Sequence, residues 1–287
     1  MVTTFTRRAF LKFTALAGPF LFLLGKVPKL FGGPKEHNPE GHYWKNGMFK
    51  QDNVDTSQEK EGIIKAKFNG AWHTYQTQSL PPAFLNWNFS ARIKTLEEIK
   101  EGKPPSLAGP HNGAVATYGG RRLDSQVSIN NAIKGMGFAP KEERIKETSK
   151  KLKETISQSQ EKKLEILKSF YQERENLFDT KKQVSLELYT SPEFETHTFL
   201  NLMENPVASV VFLDFPCFEL RTVVRLVHPK DTSASRYERH LLEYTNLVHS
   251  YFHGEFKEDF IAMIFHLLEV FDNSPGKKRG IRIVPVE

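Results

Sequence analysis

A single cysteine in 287 residues removes several chemistries at once. Cys217 has no partner for an internal disulfide. No cysteine-based zinc site, iron–sulfur cluster or Cys-x-x-Cys-His haem attachment can be built from it. It lies between Pro216 and Phe218 and reads as a small buried hydrophobe rather than a nucleophile. Glycine-rich phosphate loops are also missing. Gly135-Met136-Gly137 has neither the further glycines nor the strand-to-helix context that such a loop needs. No Glu follows His249, so the zinc-protease pattern fails as well. Acidic residues are absent from the first 33 positions, which hold Arg7, Arg8, Lys12, Lys26 and Lys29. The whole chain has 40 basic and 34 acidic residues, so the remainder is nearly neutral at 35 against 34. The high pI therefore belongs to the N-terminus, and no global basic surface argues for a nucleic-acid partner.

What stands at that N-terminus is Thr6-Arg7-Arg8-Ala9-Phe10-Leu11-Lys12, which matches the twin-arginine export consensus at every defined position. An apolar run over 13–25 follows, shorter than the roughly 20 residues a membrane span requires. A basic segment before a short apolar run is a targeting element and not part of the fold. The expected route is the twin-arginine translocase, and the expected location is the periplasm. Lys26 and Lys29 stand where a small-residue cleavage site is usual, so retention as a membrane anchor facing the periplasm stays open beside cleavage.

Three segments are expected: a signal or anchor at 1–30, an N-terminal extension at 31–110, and a domain at 111–287. The extension begins turn-rich and then forms a hairpin over 63–78 around Asn69-Gly70, the dipeptide that best fits a two-residue turn. Helical spacing at Leu85, Phe89, Ile93, Leu96 and Ile99 predicts a helix over 84–99. In the domain, strands are predicted at 114–118, 123–129, 184–189, 208–213, 218–227 and 280–286. Helices are predicted at 194–203, 235–253 and 260–271. Between them, residues 140–176 are dominated by Lys, Glu, Gln and Ser with a sparse apolar stripe. That composition predicts one or two charged helices, either solvated and packed by one narrow face or forming an arm that grips a partner.

Two clusters invite chemistry. His249 and His253, four apart near a helix end, share one face, with His240 further up; they suit a metal or haem ligand pair or simply a helix C-terminus that favours positive charge. Arg221 and Arg225 share one face of a strand, and Arg121-Arg122 forms a second basic pair. Either pair can hold an anion or pair with carboxylates such as Glu187 or Glu219.

The run Leu188-Tyr189-Thr190 … Asn205-Pro206-Val207-Ala208-Ser209-Val210-Val211-Phe212 resembles the pyridoxamine 5′-phosphate oxidase family. Ala116-Thr117, Gly119-Gly120 and Gln126-Val127-Ser128-Ile129 are similar to that family's first hairpin. Arg282-Ile283-Val284-Pro285 is similar to its closing strand. The resemblance covers about 110–230 and the last strand, with the charged helix as an insertion. It implies an α+β fold: a six-stranded antiparallel split β-barrel with flanking helices and a long charged helical insertion at about 140–176. It also implies a homodimer with FMN held between protomers, near Tyr189, Thr190, Thr196, His197, Thr198, Gln126 and Ser128, with Arg221 and Arg225 as further anion contacts. The family's Ser-Arg-Lys phosphate triplet aligns with Thr196-His197-Thr198. Thr198→Lys is thus expected to tighten FMN. The family's Trp-x-Gly and Arg-Leu-His-Asp-Arg substrate motifs are absent, which argues against pyridoxamine phosphate oxidation itself. The resemblance thus implies a flavin-dependent oxidoreductase of unknown substrate; a haem-binding barrel, or a scaffold that binds a partner without catalysis, stays open.

Overall fold

A computed structural model describes residues 43–120, 125–276 and 280–285. The twin-arginine segment, Arg121 and Arg122 lie outside the described residues.

The centre is an antiparallel sheet that closes on itself. Its strands are β6 (Asn112–Tyr118), β7 (Ile129–Gly135), β8 (Gly137–Pro140), β9 (Phe178–Glu187), β10 (Val207–Phe212), β11 (Phe218–Val227) and β12 (Ile261–Asp272). They hydrogen-bond in the order β7-β6-β10-β11-β12-β9-β8. Only Met136 separates β7 from β8. One long bent strand therefore pairs with β6 through its first half and with β9 through its second. That shared strand makes the assembly a six-stranded split barrel, and the fold is α+β. Register places Val115, Val210 and Leu220 side by side on the inner face, and Val224 beside Phe265. All five are essentially unexposed. Gly113 is glycine for space, because a Cβ there would stand 2.6 Å from Val210 Cγ1 and 3.0 Å from Met136.

Ahead of the barrel lie β1 (Trp44–Lys45), β2 (Met48–Phe49), β3 (Val54–Asp55), β4 (Ile63–Phe68) and β5 (Ala71–Gln76). The β4–β5 hairpin forms as predicted. Asn69 and Gly70 both take positive φ, 49° and 83°, the left-handed pair that a two-residue turn demands. Helix α1 (Pro82–Lys100) starts on Pro82, whose fixed φ suits the first helical position. It buries Phe84, Phe89, Arg92 and Leu96 against the barrel. Phe89 stacks on Phe138 with ring centroids 4.3 Å apart. Residues 43–110 thus share the barrel's core.

The charged segment divides into α2 (Ile145–Thr155), α3 (Gln160–Gln172) and α4 (Arg174–Leu177). It packs rather than protrudes. Ile145, Leu152, Leu164, Leu167 and Tyr171 all enter the main core. After β9 come α5 (His197–Glu204) and α6 (Arg236–His253). Helix α6 opens with a complete Ser235–Glu238 capping box and stops at Gly254, as its sequence signals predict.

Three expectations need correcting. The predicted helix at 260–271 is strand β12, which lies between β11 and β9. Residues 261–267 are all buried, so both faces are covered. A strand buried on both faces has no period-two alternation to separate it from a buried helix. The strand expected at 280–286 is the short β13 (Ile281–Val284), which flanks β12 off the main path; β12 is the sixth barrel strand in its place. The second strand of the first hairpin starts at Ile129 instead of ending there, because the exposed segment before it makes a turn.

Candidate functional site

The predicted cofactor residues cluster where β9 leaves the barrel and α5 begins. Thr190 Oγ1 lies 3.1 Å from Thr196 Oγ1 and accepts from the Thr196 amide at 3.3 Å. Thr196 is the N-cap of α5, its hydroxyl accepting from the Phe199 amide at 3.2 Å. Thr198 is buried and accepts from Asn130 Nδ2 at 2.8 Å. His197 is half-buried in the first turn of α5, and Tyr189 is exposed. The hairpin side is tied in too. Asn201 Nδ2 donates to Thr117 Oγ1 at 3.1 Å and to the Ser128 carbonyl at 3.3 Å. Gly119 sits so close to α5 that a Cβ would stand 2.4 Å from Asn201 Oδ1. The Gly120 amide donates to Glu204 Oε2 at 2.5 Å. Gln126 is exposed, and Ser128 takes part through its backbone.

So Thr190, Thr196, His197, Thr198 and Ser128 are brought together at one end of the barrel. As acceptors, the threonine hydroxyls are engaged by the Phe199 amide, the Thr196 amide and Asn130, and Thr190 and Thr196 share one further bond. Among the described residues, carboxylates stand close by. Trp44 Nε1 donates to Glu195 Oε1 at 2.9 Å. The Tyr43 hydroxyl is held above its ordinary pKa by burial and then by Glu204, Glu195 and Asp52. No Arg or Lys occupies the aligned triplet to offset these carboxylates. Among the described residues, the positions aligned with the family's phosphate triplet thus carry no permanent cation. A lysine at 198 would carry an ammonium into the buried space beside Asn130.

Arg221 and Arg225 do share a face of β11, but they do not share a site. Arg221 is exposed, donates to Glu219 Oε1 at 3.1 Å and lies 4.1 Å over the Phe271 ring. Arg225 is buried, donating to Glu238 Oε1 at 3.0 Å, Asp231 Oδ2 at 3.3 Å and the Gln51 carbonyl at 3.0 Å. Burial raises the Glu238 pKa, but Arg225 and the Ser235 hydrogen bonds outweigh it and hold the carboxyl below its usual range. The Arg225 guanidinium is enclosed by these partners, whereas that of Arg221 stays half-exposed between Glu219 and Glu269. His249 and His253 stand with ring centroids 4.7 Å apart, and His249 stacks on Phe256 at 4.9 Å. Burial, then His253, lowers the His249 pKa to about 4. Among the described residues no group of three His, Cys, Asp or Glu side chains is placed to hold a metal.

Sequence reasoning missed the polar lining of the barrel. Register puts Gln183, Ser185 and Glu187 of β9 on the same face as Phe265, Met263 and Ile261. Lys134 reaches across from β7 to Glu187 Oε2 at 2.6 Å, closing the split with an almost fully buried ion pair. Polar residues inside an apolar strand, such as Lys182-Gln183, are the only signal that pointed there. Lys182 and His266 sit beside Glu59 in a second buried cluster.

No family model matches the chain, and neither does any curated protein. Among solved structures, the chain is similar to a protein of the pyridoxinephosphate oxidase family from Clostridium acetobutylicum, related to general stress protein 26 of B. subtilis. The two are 12% identical over 68% of this chain and 96% of that one, with a TM-score of 0.29.

Proposed function

We propose that the chain is an exported, homodimeric split-barrel protein that serves as a non-catalytic binding scaffold rather than a flavin-dependent oxidoreductase. The observation that carries this reading is the fate of Thr190, Thr196 and Thr198, whose hydroxyls are bonded internally beside Glu195 and Glu204. A flavin mononucleotide needs cations and free donors at its phosphate, and the described residues there offer carboxylates.

Dimerisation is supported by the outer face of the barrel. Ile133 pairs with Ala114, Ala114 with Val211, Asn131 with Ala116, and Ile129 with Tyr118. Ile129 and Ile133 are each 65% exposed. Apolar residues grouped on a sheet face mark an interaction surface, and this one is self-complementary in kind, as a two-fold interface requires. Export is supported by Arg7 and Arg8 in their consensus.

The test is a titration of FMN into the purified protein, followed by quenching of flavin fluorescence, together with a visible spectrum of the protein as isolated. The scaffold reading expects no saturable quenching and no flavin or haem band. Saturable binding, or a flavin band in the isolated protein, overturns it and restores the oxidoreductase reading. A Soret band overturns it in favour of haem.

A further inference from the structure

A cleft of about 350 Å³ lies between α2 and α6, lined by Lys146, Ser149, Lys150, Lys153, His240 and Glu243. That volume is at the lower end of the ~300–1,000 Å³ usual for small-molecule sites. Its lining follows from helical spacing. Positions 146, 149, 150 and 153 fall on one face of α2, and 240 and 243 on the facing side of α6.

Three features distinguish this cleft from an ordinary solvated helix face. Ser149 is 5% exposed, and its hydroxyl is buried with no hydrogen-bond partner. A helical serine normally returns its hydroxyl to the carbonyl four residues back, and the neighbouring Thr148 does so, to Arg144, at 2.8 Å. Ser149 instead keeps a donor unspent at the cleft. Lys146 has no carboxylate partner among the described residues, whereas Lys153 pairs with Glu243 and Lys150 lies 3.7 Å from Glu154. The field in the cleft is positive. His240 is held below its ordinary pKa by burial and then by Lys146 and Arg236, against the opposing pull of Glu243. Asp259 faces Glu243 and Lys153 from the far side.

We propose that this cleft is a binding site for a small phosphate-class anion, with Ser149 as hydroxyl donor, Lys146 and Lys150 as its cationic walls and the neutral His240 imidazole as a further hydrogen-bonding group beside them. The ligand is inorganic phosphate or a phosphate monoester, free or carried on a lipid headgroup. The site lies apart from the α5 region and does not depend on the scaffold reading.

Calorimetric titration of inorganic phosphate into the full chain tests the proposal. Saturable binding at millimolar phosphate is expected. Lys146→Gln with Lys150→Gln should weaken it about tenfold or more, since each lost charge-assisted hydrogen bond is worth about that factor. Both positions are exposed, so this variant is expected to fold, and circular dichroism checks it. Ser149→Ala should weaken binding while removing no charge, which separates a built site from a diffuse basic surface. The imidazole resonances of His240 should move during the titration. Flotation with phosphatidylcholine vesicles carrying phosphatidate gives the second arm. Vesicle binding that is lost in the double variant supports the site with a lipid as the source. Absence of binding in both arms overturns the proposal, as does phosphate binding unchanged in the double variant.

Discussion

Arg92→Leu is the perturbation that most directly tests how the barrel is closed. Arg92 is 2% exposed and has no carboxylate partner among the described residues. Its guanidinium donates to the carbonyls of Pro110 at 2.6 Å and Met136 at 2.7 Å, and its Nε donates to Asn88 Oδ1 at 2.6 Å. It also lies 3.2 Å from His111 Nδ1 and sits over the rings of Phe138 and Tyr171. Met136 is the hinge between the two halves of the shared strand, and its amide donates to the His111 carbonyl at 2.7 Å. One α1 side chain thus fixes the loop entering β6 and the bend that lets a single strand serve both sides of the barrel. Leucine keeps the apolar packing but strands two buried carbonyls. Each costs about 1–3 kcal/mol, so the loss is about 2–6 kcal/mol, reduced somewhat because a buried guanidinium is also removed. Urea denaturation of wild type and variant measures it. A second readout is specific to the charge. Burial and then Arg92 hold His111 well below its ordinary pKa, so removing the cation should raise the His111 pKa by NMR titration. A loss under ~1 kcal/mol with His111 unmoved would refute the idea that Arg92 pins the bend.

The other expectations are these. Thr198→Lys should destabilise the fold by about 2 kcal/mol or more without conferring FMN affinity, because its ammonium enters a buried site; thermal melts and fluorescence titration decide, and a stable, FMN-binding variant counts against the α5 assignment. Ile129→Lys with Ile133→Lys should convert a dimer to a monomer by sedimentation, both positions being exposed in the protomer. Replacing Arg7 and Arg8 by lysine should leave the protein in the cytoplasm, and undiminished export would mean the segment has another role. His266, 1% exposed, has its pKa lowered by burial and then by Lys182 to about 3. The unfolded chain therefore binds this proton first, so stability falls as pH drops below 6.5 toward about 3, by up to ~1.4 kcal/mol per unit. His266→Gln should flatten that slope in urea titrations run between neutral pH and pH about 5.

Elements whose signal is local were legible in the sequence. The Asn69-Gly70 turn and the Ser235 and Gly254 ends of α6 each depend on backbone chemistry within a few residues. Strand β12 was not legible, because burial on both faces removed its alternation. The double role of the strand around Met136 was also invisible. Gly135 and Gly137 flank the bend, but glycines mark a bend without saying that both halves pair in one barrel, and the residue that holds it, Arg92, lies 44 positions away.

The candidate site shows a different kind of limit. The Tyr-Thr strand end, the short helix and Asn205-Pro206 resemble a phosphate cradle because the backbone path there is that of a split barrel. Whether such a path binds a phosphate depends on where the hydroxyls and cations are spent, and that is decided by partners distant in sequence. Asn130, 68 positions before Thr198, takes that hydroxyl. Asn201 reaches 84 positions back to Thr117. The same side chains that could face an anion stitch α5 to the β6–β7 hairpin, at the end of the barrel where, among the described residues, β7 has no hydrogen-bonded neighbour beyond β6. Removing a stitch therefore separates the two roles. In a phosphate site, Asn130→Ala frees the Thr198 hydroxyl and affects ligand affinity. In the stitched arrangement it leaves a buried hydroxyl unpaired at a cost of about 1–3 kcal/mol, and hydrogen exchange should quicken at the amides of both α5 and β7.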